Sequence, residues 1–216
     1  MPDDSPQQAD STVPAGSAPS WSIRDAQPGD VPAIVALVRE LAEYEKEPDA
    51  VEATDEHFTQ ALFPDDPATA RSHAIVAETR DENGEATVVG MAVWYVTFST
   101  WTGRHGIWLE DLFVRPEQRG GGLGKALLAR LAGIAVERGY RRLEWWVLRW
   151  NSPSIAFYDA MGATPMDEWL HYRVDGEPLQ RLAARGLRSA SARLSSEHGI
   201  RDHVDGGTDE APRWAP

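Results

Sequence analysis

The segment Arg119-Gly120-Gly121-Gly122-Leu123-Gly124-Lys125 restricts this chain more than any other, because its glycines stand between two apolar runs of different period. Before it, Ile107-Trp108-Leu109-Glu110-Asp111-Leu112-Phe113-Val114 reads as a strand. After it, Leu127, Leu128, Leu131, Ile134 and Ala135 share one face of a helix over 123–138, which Gly139 closes. A strand that feeds a glycine turn and then a helix aims several backbone N–H groups and the positive helix end at one point. Such a point suits a phosphate. Side chains there would hold the phosphate away from the amides and resist the positive φ angles that the turn needs.

Two phosphate motifs are excluded by position. A P-loop requires glycine at 119 and Ser or Thr at 126, where this chain has Arg119 and Ala126. A dinucleotide fingerprint fails because Gly120 and Gly122 are followed at 125 by lysine. What remains is Arg-x-x-Gly-x-Gly.

The surrounding pattern predicts an α/β chain. Asp30 stands at a helix N-cap position, and Ile34, Leu37, Val38 and Leu41 form one stripe of a helix over 31–45. Thr54 caps a shorter helix that Pro64 stops. Strands at 74–77 and 87–96 flank Asn83-Gly84, a hairpin turn signal. Later come a strand at 143–147, a short helix at 153–161 closed by Gly162, and a last strand at 169–174. This order implies a mixed sheet sandwiched by helices. Residues 1–20 and 185–216 lack apolar periodicity and are expected to be disordered tails around one domain at 21–184.

A net charge of −13 argues against a nucleic-acid binder, and no apolar run is long enough for a membrane span. With no cysteine and no secretory signal, the expectation is a soluble cytoplasmic protein. The six histidines show no metal-ligand spacing, so no metal is expected.

Arg-x-x-Gly-x-Gly after a strand and at the head of a helix resembles the pyrophosphate-binding motif of the GNAT superfamily of N-acetyltransferases. The segments 109–114, 150–158 and 41–45 look like its diamine (spermidine/spermine) acetyltransferase branch, and the resemblance covers roughly 23–183. It implies the GNAT fold, an α/β sandwich whose central mixed, mostly antiparallel sheet splays its strands around acetyl-CoA. The branch also forms homodimers, which the tryptophan-rich late strands would suit.

The resemblance assigns roles to particular residues. Tyr158 matches the general acid that protonates the departing thiolate, as a thiol of pKa about 8.5 requires. Glu110 matches the substrate-side carboxylate, acting as base through water. Because neighbouring strand residues alternate, Glu110 and Asp111 are expected on opposite faces, leaving Asp111 to cap a nearby turn. Tyr44 and Glu45 match acceptor-site residues, and a further carboxylate falls on Asp167 or Glu168. For the donor, Leu112, Phe113 and Val114 would pair with the pantetheine arm, and a bulge beside them would aim an N–H at the thioester carbonyl. Residues Arg119, Gly120, Gly121, Gly122, Leu123, Gly124 and Lys125 would take the pyrophosphate, with Asn151 and Ser154 as further contacts. Asn151 also reads as a helix cap.

The expected reaction moves acetyl from acetyl-CoA to a primary amine of a small polycation. Two alternatives stand beside it: a lysine-like or thialysine-like acceptor, and a non-catalytic acyl-CoA-binding module.

Overall fold

The computed structural model describes residues 21–197, with side chains through residue 186. The expected tail at 1–20 and the end of the expected tail at 185–216 lie outside the described residues. The chain divides into two units, one ending at Ala163 and the other starting at Thr164.

The first unit is built on a five-stranded sheet of order β1-β2-β3-β4-β5. Its strands are β1 (Trp21–Asp25), β2 (Ser72–Arg80), β3 (Ala86–Ser99), β4 (Arg104–Val114) and β5 (Leu143–Glu144). All neighbours are antiparallel except β4 and β5, which run parallel. Helices α1 (Val31–Tyr44) and α2 (Asp55–Leu62) bury Ile34, Leu37 and Leu62 against Val76, Met91, Val93 and Phe113 on one face. On the other, α3 (Leu123–Glu137) buries Leu123, Leu127, Leu128 and Leu131 against Ile107, Leu109 and Val114. There α4 (Ser152–Ala160) adds Phe157 and Tyr158. Each buried Leu or Ile contributes about 1.5–3 kcal/mol relative to exposure, so the two apolar layers hold the sheet between them.

Two local readings change. Asp30 precedes α1 but does not cap it with its side chain: the carboxylate accepts from both Arg24 terminal nitrogens at 2.6 and 2.9 Å and from the Gln27 N–H at 2.7 Å. A charged, geometrically matched guanidinium outcompetes a neutral amide for the same oxygens. Strand β1, unannounced by the sequence pattern, brings Arg24 to Asp30 and to the buried Glu78, whose Oε2 accepts from Arg24 Nε at 2.9 Å.

The second departure is at the β4–β5 edge. These strands pair only at Ile107↔Leu143 and Trp108↔Glu144, so the strand expected through Val147 ends after two residues. A Cβ on Gly106 would stand 2.7 Å from Arg142 Cγ, which shows how closely the two strands meet at this end. From there they part. The gap between 109–114 and 145–148 opens the cleft that is the candidate functional site.

In the second unit, residues 169–174, expected as the last strand, form no strand, and α5 (Gly176–Glu197) follows. A strand exists only where a neighbour supplies a ladder, and alternation in the sequence cannot supply one. Trp169, Leu170 and Tyr172 are exposed. Helix α5 also runs through the boundary at 184 where a tail was expected to begin.

Candidate active site

The splay opens a cleft of about 480 Å³ lined by β4, the glycine turn, residues 145–148 and α4, with Leu41, Tyr44 and Glu45 from the end of α1. At one mouth, Gly120 and Gly122 adopt φ of +84° and +81°, and Gly122 is the N-cap of α3. A Cβ on either glycine would meet nothing within 4 Å, so it is backbone conformation that demands glycine here. The first amides of α3 have no carbonyl one turn upstream and face outward with the positive helix end. This is a fit for a pyrophosphate.

Arg119 is fixed rather than free. Its Nε donates to the Val114 carbonyl at 2.8 Å, and its guanidinium stands 5.3 Å from the Tyr44 ring and 5.4 Å from that of Phe113. Arg115, another cation beside the turn, is bound by Glu40 at 2.9 Å.

At the other side the register of β4 decides the chemistry. Trp94 pairs with Leu109 and Val93 with Asp111, so Glu110 is an extra residue, a β-bulge. Ile107 and Leu109 face α3 before the bulge, whereas Leu112 and Val114 face it afterwards, and Phe113 faces α1. Glu110 and Asp111 therefore share the α1 face, contrary to the strict alternation expected from sequence. Both line the cleft, together with Glu45.

The Glu110 carboxylate accepts from Trp108 Nε1 at 3.0 Å. Trp108 in turn lies edge-on to Trp146, with centroids 4.7 Å apart. Burial, reinforced by the charges of Glu110 and Glu45, pushes the Asp111 carboxyl up to about 6. Burial also raises Glu45.

Tyr158 on α4 lines the same cleft, with its ring 4.8 Å from that of Trp145. Burial first, and the Glu45 charge second, push its phenol up to about 12, so it holds its proton throughout the physiological range. Asn151 is buried; its Oδ1 accepts from the Ser154 N–H at 3.3 Å and from the Tyr44 hydroxyl at 2.9 Å. It is thus a helix cap and a strut between α1 and α4.

Of the residues singled out from sequence, Tyr44, Glu45, Glu110, Leu112, Phe113, Val114, Arg119, Gly120, Gly122, Leu123, Gly124, Lys125, Asn151, Ser154 and Tyr158 line this cleft. Gly121 is an exposed member of the turn outside the lining, and Asp167 and Glu168 belong to the second unit. Sequence reasoning missed Asp111, Trp145 and Trp146 as lining residues. A bulge near 112–114 was expected from the resemblance, but residue types do not say which residue it leaves unpaired, and that is what turns Asp111 into the cleft. No group of three or more metal-ligating side chains occurs among the described residues, and no helix among them is long and apolar enough to cross a membrane.

A splayed mixed sheet with a glycine turn suited to a pyrophosphate at one mouth, and carboxylates with a protonated phenol at the other, fits an acyl-transferring enzyme with two substrates. Residues 34–163 match the acetyltransferase (GNAT) family, and the chain belongs to it as an acetyl-CoA-dependent N-acetyltransferase. It is 38% identical over 169 residues to a thialysine N-epsilon-acetyltransferase of Bos taurus, across 76% of this chain and 97% of that protein. It is 34% identical to a spermidine/spermine N(1)-acetyltransferase-like protein of Homo sapiens, covering 76% of this chain and 24% of that one. Among solved structures, an integron cassette protein from V. cholerae superposes with a TM-score of 0.62 at 26% identity, over 76% of this chain and 98% of that chain.

Proposed function

We propose that this acetyltransferase acts on the terminal primary amine of a small aliphatic polycation, a diamine or polyamine. The observation that carries the proposal is the bulged face of β4, where Glu110 and Asp111 join Glu45 in one cleft. Three carboxylates attract and hold an ammonium chain, whereas an amino acid would also need a cation for its own carboxylate. The relative named for spermidine and spermine supports this choice.

In this reading the pyrophosphate of acetyl-CoA rests on Gly120, Gly122 and the head of α3, with Arg119, Gly121 and Lys125 beside it. The pantetheine arm lies along Leu112, Phe113 and Val114 as an added strand in the splay. Tyr158 gives its proton to the departing thiolate, and Tyr44, Glu45 and Glu110 hold the acceptor. The proposal extends to a cytoplasmic homodimer. Exposed Phe98 and Trp101 on and after β3 support the dimer, and a cysteine-free chain needs no oxidising compartment.

A lysine-like acceptor is the second reading, favoured by the 38% identity to the bovine thialysine enzyme. Thiol release from acetyl-CoA with putrescine, spermidine, ornithine, lysine and thialysine separates the two by kcat/KM. Preference for the diamines supports the first reading, and preference for the amino acids replaces it with the second. Acetyl-CoA binding without thiol release on any amine would remove both.

A further inference from the structure

We propose that Asp111, rather than Glu110, is the group that takes the proton from the acceptor ammonium, with Glu110 beside it as the counter-charge that keeps the acceptor in place. The inference rests on the reading of this cleft as the amine site.

Its basis is the division of labour that the bulge creates. Two adjacent carboxylates share one face of β4 and one cleft, but they differ in setting. Glu110 is exposed, and the Trp108 indole N–H fixes its carboxylate. Asp111 is half-buried and belongs to the part of β4 that continues toward the donor cradle through Val114. A counter-ion works best where it stays charged and solvated. A proton acceptor works best where its charged form is only modestly favoured at the working pH.

The ionisable groups facing this cleft are Glu110 on β4, Tyr44 and Glu45 at the end of α1, Arg119 in the turn, Lys125 at the head of α3 and Tyr158 on α4. Arg119 is engaged by the Val114 carbonyl and by two rings, and Tyr44 by Asn151. Burial and the charges of Glu110 and Glu45 raise Asp111.

The step balances as follows in bonds and protons. An oxygen of the Asp111 carboxylate takes one proton from the acceptor's R–NH₃⁺, leaving a neutral amine and a carboxylic acid. The nitrogen lone pair forms the C–N bond to the thioester carbonyl carbon, and the C–S bond breaks. The thiolate takes the Tyr158 hydroxyl proton, and the phenolate recovers a proton from the acylated nitrogen. Asp111 then releases its proton to water.

The test is the pH dependence of kcat/KM for an accepted amine, measured for the wild type and for Asp111→Asn, Glu110→Gln and Glu45→Gln. The acceptor's own ionisation is common to all four and cancels in ratios. The wild type should lose activity below about pH 6, as Asp111 becomes protonated. Asp111→Asn should lose that limb and fall by roughly 10²–10⁴-fold at neutral pH. Glu45→Gln, by removing a charge that raises Asp111, should move the limb to lower pH; this variant keeps the proposal testable if Asp111→Asn does not bind acetyl-CoA and so proves misfolded. An acidic limb that survives Asp111→Asn but disappears in Glu110→Gln would overturn the assignment, as would a limb unmoved by Glu45→Gln. A wild type inactive on every amine would instead remove the underlying reading.

Discussion

The Tyr44 hydroxyl donates to Asn151 Oδ1 at 2.9 Å, joining the last residue of α1 to the N-cap of α4 across 107 positions of sequence. One amide oxygen thereby ties the α1 wall of the cleft to the helix that carries Tyr158. Asn151→Ala should remove both the cap and the strut, at a cost of about 1–3 kcal/mol in urea unfolding. It should also raise KM for acetyl-CoA, because Ser154 and Tyr158 lose their alignment. Unchanged stability would show that the bond is not maintained in solution.

Asp111→Asn carries a stability prediction of opposite sign. The folded protein holds this carboxyl at about 6, above the ordinary aspartate range, so the group favours folding fully below about pH 4 and loses that contribution as pH rises through 6. Removing the charge should therefore stabilise the fold at pH 8 by on the order of 1–2 kcal/mol after solvent screening is allowed for, read as a higher melting temperature, and do little at pH 4. Thermal scans at the two pH values check it.

Tyr158→Phe keeps the ring contact with Trp145 and removes the hydroxyl. Turnover should fall by roughly a hundredfold or more while the fold survives. In the wild type, a phenol pushed up to about 12 should produce no alkaline limb of its own between about pH 7 and 9. A turnover that Phe leaves untouched would take Tyr158 out of the reaction.

Gly122→Ala forces a side chain onto a backbone at φ +81° at the head of α3. The strain should cost about 1–2 kcal/mol. A larger effect is expected on KM for acetyl-CoA than on kcat, since the turn is proposed to hold the donor and to take no part in proton transfer. Isothermal titration with CoA provides the direct measurement.

Arg24 neutralises Asp30 and Glu78 together, so Arg24→Met would leave two buried carboxylates with less compensation. The arginine side chain is a third exposed, which tempers the loss to about 2–3 kcal/mol. Because Arg24 lowers the Asp30 pKa, the stabilisation is present above about pH 4 and is lost as pH falls through the lowered value. Acid unfolding monitored by circular dichroism should show the difference between the variant and the wild type shrinking in that range.

Much of this was legible in the chain. Periodicity located α1 and α3, because each buries one stripe and the pattern records it, while the Thr54 cap and Pro64 bounded α2 and Asn83-Gly84 marked the β2–β3 hairpin. The glycine turn was legible because a positive φ at the head of a helix calls for glycine. The short β1 lay below the resolution of such reading. The strand expected at 169–174 failed for the converse reason, since alternation marks a surface that fits a sheet without providing the neighbouring strand.

The acceptor side shows where sequence stops. Residue types alone determined that Glu110, Asp111 and Tyr158 are present, that Gly120 and Gly122 can turn, and that an apolar strand leads into an apolar helix. Tertiary structure alone decided that Glu110 and Asp111 face the same way, because one unpaired residue in β4 opposite Val93 and Trp94 shifts the alternation. It also decided that Glu45, 65 and 66 positions earlier, adds its charge to theirs, and that Asn151 joins Tyr44. Local sequence specifies local conformation; which charges share a cleft depends on register and on how far two strands part, and both are set by packing on the two faces of the sheet.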